Sequence, residues 1–175
     1  MNVLLIGLRG SGKSSVAQLV AKSTDLVAVD LDFLTAAHLS SPTAAAALTT
    51  HGQTAFREAE IAVLAEVLTL DNQVIAAGGG TPTAPGAAQL IAASSIASDL
   101  RVFYLRATPQ TLHNRLKLTD LSTRPSLTGM GVLEEIETLF KHRDSLYSTL
   151  ADHIITVESK SIEESAQLIL ASLNA

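Results

Sequence analysis

The sequence predicts an α/β protein built on a parallel sheet with helices on both faces. Short apolar runs alternate with helical stretches along the chain. The runs are apolar at nearly every residue rather than at every second one. The stretch "GLRGSGKS" (7–14) joins the first run directly to a helix. Strands buried on both faces give continuous apolar runs, and strand–helix alternation is the pattern of parallel crossover connections.

Each element follows from its own residues. "NVLLIG" (2–7) is a short apolar strand ending at glycine, and "SSVAQLVAKS" (14–23) has helical spacing in Val16, Leu19 and Val20. "DLVAVD" (25–30) is a second strand, and the Ala-rich "SPTAAAALTTHG" (41–52) a surface helix. "QTAFREAEIAVLAEVLTL" (53–70) places Phe56, Ile61, Leu64, Val67 and Leu68 near one helical stripe. "NQVIAAGGG" (72–80) is strand then glycine. "DLRVFYLRA" (99–107) is a strand, and Pro109 suits the first turn of the helix after it. "GVLEEIETLFKHRDSLYSTLA" (131–151) is helical and "HIITVE" (153–158) the last strand. "SIEESAQLILASLN" (161–174) opens with a capping box, Ser161 to Glu164.

Composition narrows the function classes. At 175 residues the chain fits a single domain, 1–175. Without cysteine it has no disulfide, thiolate metal site or cysteine nucleophile. A net charge of −5 offers no basic footprint, so nucleic acid is not an expected partner. No apolar stretch reaches the roughly 20 residues of a membrane helix, so no membrane partner is expected either. The apolar start lacks a basic flank and runs straight into the glycine loop, which argues against a signal peptide and for a cytoplasmic protein.

The loop at 7–14 matches G-x-x-x-x-G-K-[ST] in full, after a strand and before a helix. Its backbone N–H groups and the helix N-terminus suit a phosphate, so Gly10, Ser11, Gly12, Lys13, Ser14 and Ser15 are candidate nucleotide-binding residues. Lys13 reaches the β- and γ-phosphates in such loops, and a hydroxyl at Ser14 suits Mg²⁺. Asp30 and Asp32 stand one residue apart at the carboxyl end of the second strand, where open α/β sheets bind ligands. Mg²⁺ beside Ser14 and Asp30 would offset their repulsion. Asp32 would then face the phosphoryl acceptor, although capping a helix at 33–39 would also account for it.

Three arginines of the chain's seven, Arg57, Arg124 and Arg143, stand in informative contexts. Arg57 and Glu60 are three apart on a helix, the spacing of an ordinary surface ion pair. Gly78, Gly79 and Gly80 after a strand suggest close approach of backbone and ligand, or an unusual turn. Arg124 precedes a proline between helices, and Arg143 precedes Tyr147 by one turn.

The ordered set GxxGSGKS, DxD, FRxxE, GGG, RP and RxxxY resembles shikimate kinase, within the P-loop nucleoside-monophosphate-kinase-like group, over about residues 3–158. The resemblance implies a three-layer α/β/α P-loop fold with strand order 2-3-1-4-5, a substrate-binding region about 31–61 and a lid about 115–128. It implies ATP-dependent phosphorylation of the shikimate 3-hydroxyl, with Mg²⁺, as a step in aromatic amino acid (chorismate) biosynthesis. Arg57 and Arg143 would grip the shikimate carboxylate and Glu60 would hold Arg57. Gly78–Gly80 would line the substrate, with backbone N–H contacts from Gly79 and Gly80. Asp32 would orient the 3-hydroxyl, and deprotonate it if it acts as a base. Lys13 and Arg124 would act on the transferring phosphoryl group.

The sequence departs from the family at Leu31 between the aspartates, Gln53 after the loop glycine and Ser126 after the Arg-Pro pair. Seven residues before Arg124 the family tends to have an arginine that packs on adenine; here that place is Lys117, with Arg115 nearby, and Lys117 and Arg124 are candidate nucleotide-binding residues. One copy of each motif suits a monomer. The rival readings are another small-metabolite kinase, such as a gluconate kinase, and a non-catalytic nucleotide-binding regulatory module. A nucleoside-monophosphate kinase is disfavoured, because base-recognising aromatic and polar residues are not evident.

Overall fold

The computed structural model describes residues 1–118 and 135–173. Its strands are β1 (Asn2–Ile6), β2 (Val27–Asp30), β3 (Gln73–Ala76), β4 (Leu100–Arg106) and β5 (His153–Thr156). Its helices are α1 (Lys13–Lys22), α2 (Leu31–His38), α3 (Ala44–Val67), α4 (Ala87–Ala97), α5 (Pro109–Lys117), α6 (Glu135–Leu150) and α7 (Ile162–Leu173), with one 3₁₀ turn at Thr81–Thr83.

The five strands form one parallel sheet in the order β2-β3-β1-β4-β5, the order the resemblance implies. Leu4 of β1 lies level with Ile75 of β3 and Val102 of β4, so the register stacks apolar side chains across the centre. Val3, Leu4, Leu5 and Ile6 are wholly buried, as are Val74, Ile75 and Phe103. Burial on both faces is what selects their unbroken apolar runs. The edge strands are more open, with Val27 63% exposed on β2 and Ile154 48% exposed on β5.

The helices refine the sequence reading in three places. α4 was not anticipated, because "AAQLIAASSIA" is mostly Ala and Ser and has no contrasting polar face. It is seated through Ala87 and Ile91, its two buried residues. α2 starts at Leu31, not at 33, and its N-cap is Asp30, whose Oδ1 accepts from the Phe33 N–H at 3.2 Å. Capping therefore does not account for Asp32. Finally, the surface helix at 41–52 and the long helix after it form one element, α3, broken at Gly52 (φ 82°, ψ 168°). The capping box of α7 forms as read: Ser161 N–H donates to Glu164 Oε2 (2.7 Å), and Glu164 N–H donates to Ser161 Oγ (3.1 Å).

A Cβ at Gly52 would meet no atom within 4 Å, so the backbone alone demands glycine there. Gly52→Ala is expected to cost about 1–3 kcal/mol through backbone strain. Chemical denaturation checks this, and an unchanged midpoint would refute it.

Candidate active site

The loop between β1 and α1 is shaped by what it must leave open. Gly12 caps α1 at φ 97°, a left-handed conformation, and as a glycine it brings no side-chain cap to the helix start. The N–H groups of this first turn and the helix dipole form an anion-binding end. Lys13 is only 8% exposed, and its Nζ donates to Gly7 O (2.9 Å) and Leu8 O (3.1 Å), which braces the loop. The Ser11 hydroxyl is buried under the loop and has no partner within the described residues. Ser14 Oγ donates to Asp30 Oδ2 at 2.7 Å. Asp30 thus touches both the loop helix and the start of α2.

Asp32 lies in the first turn of α2 and lines the same cleft. Its side chain is exposed to solvent in the open cleft. Loss of hydration raises its pKa above the ordinary aspartate value; Lys13 opposes this, Asp30 and Glu60 add to it, and Arg9 opposes it. A raised pKa makes the carboxylate a somewhat better proton acceptor at neutral pH.

The three glycines now have a physical reason. A Cβ at Gly78 would fall 2.5 Å from Asp32 Oδ1 and 2.7 Å from Glu60 Oε1. One at Gly80 would fall 2.5 Å from Arg57 Nη2, and one at Gly79 would fall 3.1 Å from the Arg9 backbone nitrogen. The turn therefore lets three functional side chains and the phosphate loop close onto one strand end.

Two further cations, Arg57 and Arg143, line the cleft. Arg57 pairs with Glu60, which is 1% exposed and also accepts from the Thr81 hydroxyl. The sequence spacing suggested a surface pair, but the fold buries its acid. Arg143 Nη1 donates to Gly79 O at 2.9 Å, and Tyr147 OH donates to the same oxygen at 2.8 Å. Burial pushes the Tyr147 phenol up to about 12, so it remains a neutral donor.

A cleft of about 570 Å³ gathers Gly10, Gly12, Lys13, Ser14, Ser15, Asp32, Arg57, Gly79, Gly80 and Arg143. Ser11, Asp30 and Gly78 stand behind this lining. Lys117 does not line the cleft; it is exposed at the end of α5. Arg115 holds that wall, donating to Val157 O (2.6 Å) and, more weakly, to Ser11 O (3.4 Å). Helical geometry explains this: two residues along a helix turn a side chain to the opposite face. Arg124 lies outside the described residues. Sequence reading missed Arg9, which lines the cleft from inside the loop motif. Its only signal was a cation at a variable position.

A parallel sheet with a phosphate loop, a carboxylate and two arginines lining one cleft defines a P-loop phosphotransferase for an anionic acceptor. A family model described as shikimate kinase matches residues 9–174. The chain is 34% identical to a shikimate kinase of Flavobacterium johnsoniae over 96% of both chains. It is 32% identical to one of Symbiobacterium thermophilum over 99% of this chain and 96% of the other. Its fold matches the shikimate kinase of Acinetobacter baumannii, solved in complex with shikimate, with a TM-score of 0.87 and 25% identity over 99% and 92% of the two chains. The chain belongs to the shikimate kinase family.

Proposed function

We propose that this protein transfers the γ-phosphoryl group of ATP to the 3-hydroxyl of shikimate, giving ADP and shikimate 3-phosphate. The observation that carries this reading is that one cleft is lined by the phosphate loop, by Arg57 and Arg143, and by Asp32. The α1 N-terminus, Lys13 and the orphan Ser11 hydroxyl take the ATP phosphates. Arg115, rather than Lys117, packs against the nucleotide base, because a planar guanidinium stacks where an ammonium does not. Arg57 and Arg143 take the carboxylate, for which a guanidinium fork is shaped. Gly79 and Gly80 line the ring, and Gly78 keeps room for Asp32. Asp32 accepts a hydrogen bond from the attacking hydroxyl, aiming its oxygen at phosphorus. Arg124, in the 115–128 lid region, stabilises charge on the phosphoryl group.

The hard oxygen donors Ser14 Oγ and Asp30 Oδ2, 2.7 Å apart, fit Mg²⁺. When bound, the ion neutralises phosphate charge. The reaction uses one copy of the chain and belongs in the cytoplasm; among the described residues no helix is long and apolar enough to cross a membrane.

The test is ADP release with ATP, Mg²⁺ and shikimate, against gluconate and a no-acceptor control. Shikimate-dependent turnover of about 1–100 s⁻¹ is expected. Turnover on gluconate alone would support the metabolite-kinase rival, and ATP binding without turnover the non-catalytic one. Asp32→Asn is expected to lower kcat by about 10²-fold or more, with shikimate affinity held within an order of magnitude. A near-normal kcat would remove Asp32 from the chemistry.

A further inference from the structure

The residue after Arg143 carries an interaction that the reaction itself does not use. Asp144 on α6 accepts two bonds from Arg106 of β4, from Nε to Oδ1 at 2.8 Å and from Nη2 to Oδ2 at 2.9 Å. The Tyr104 hydroxyl donates to the same Oδ1 at 2.9 Å. Tyr104 and Arg106 are two apart on β4 and so share one face of the sheet. The Arg106 guanidinium also lies 5.3 Å over the ring of Phe140, one turn before Asp144. The guanidinium holds the Asp144 carboxyl below its usual range, so the pair is charged at neutral pH.

The same turn of α6 reaches the site. Arg143 and Tyr147 are four apart, on one side of the helix, and both donate to the carbonyl of Gly79. Tyr147 meets the Tyr104 ring edge-on at 5.5 Å. α6 is therefore tied twice within one turn: to the sheet through Asp144, and to the glycine turn through Arg143 and Tyr147. A bidentate pair fixes rotation about the helix axis as well as position, which a packing contact alone does not.

We propose that the Arg106–Asp144 pair, with the Tyr104 hydroxyl, pins the rotation of α6 on the sheet so that Arg143 presents its guanidinium to the acceptor carboxylate. Asp144, Arg106 and Tyr104 are positioning residues for acceptor binding, and the inference rests on the reading of Arg143 as a carboxylate ligand. Part of the Arg143 fork is already committed to Gly79 O, so a small rotation of α6 removes the remaining donors from the carboxylate.

The experiment measures kcat and both KM values for Asp144→Asn, Arg106→Gln, Arg106→Lys and Arg143→Ala, with Asp144→Asn repeated in the Arg143→Ala background. Asp144→Asn and Arg106→Gln are each expected to raise the shikimate KM about tenfold, with kcat and the ATP KM within about twofold of the parent. Arg106→Lys should restore part of the loss. In the Arg143→Ala background Asp144→Asn should add nothing, because the two act through one contact. If Arg143→Ala leaves the shikimate KM unchanged, the reading of Arg143 fails. If it raises that KM but Asp144→Asn and Arg106→Gln do not, the pin fails alone. An equal Asp144→Asn effect in both backgrounds, or a joint loss of kcat and both KM values, assigns the pair to general stability and overturns the proposal.

Discussion

Lys13→Ala is expected to lower kcat at least about a hundredfold, the scale of losing one preorganised donor to developing charge. The protein should stay folded, because the fold rests on the apolar centre of the sheet, where Val3, Leu4, Leu5 and Ile6 are wholly buried. Two losses combine. The ammonium no longer meets the phosphoryl oxygens, and the carbonyls of Gly7 and Leu8 lose the donor that braces them at 2.9 and 3.1 Å. The second loss loosens a loop whose N–H groups must all point inward, so nucleotide affinity should fall as well. Steady-state kinetics with ATP titration, beside a thermal melt, separates the two. Lost turnover with a retained melt supports the assignment. Normal turnover would remove Lys13 from the phosphate site.

The sheet and the phosphate loop were legible because their determinants are local. Runs such as "NVLLI" and "VIA" need no partner to be recognised as strands buried on both faces. The glycine–lysine loop carries its own backbone requirement. The strand order came only through the resemblance, since no run states which neighbour it pairs with. α4 escaped because alanine and serine give no amphipathic contrast. Asp30 as the cap of α2 escaped because two acids one residue apart offer the same capping signal, and the backbone chooses between them.

The site was legible as a set of residue types and less so as contacts. The GGG turn suggested ligand approach; the fold adds Asp32, Glu60 and Arg57 pressing on it. The choice between Arg115 and Lys117 depends on helix phase relative to the cleft, and a sequence offset counted back from Arg124 does not carry that phase. Arg106 and Asp144 are 38 residues apart and meet only because α6 packs on β4.

Glu60 is the position where stability and binding fall together. Its side chain is 1% exposed and holds both Arg57 and the Thr81 hydroxyl. Glu60→Ala leaves Arg57, itself only 16% exposed, with a charge that water reaches poorly. Breaking a buried pair from one side costs about 3–5 kcal/mol. The residual exposure of Arg57 places the expected cost near the lower end. The freed guanidinium also loses its aim, so the shikimate KM should rise sharply in whatever protein remains folded. Glu60→Gln separates charge from shape: its amide oxygen still accepts from Thr81 but no longer neutralises Arg57. Urea denaturation and shikimate titration of both variants check this. A Glu60→Ala midpoint near that of the parent would mean the pair behaves as the surface contact its spacing suggests. A large loss in Ala with a smaller one in Gln would mean that Glu60 acts through shape and hydrogen bonding as well as through its charge, and that Arg57 is held ready for an anion by a partner that never leaves the protein.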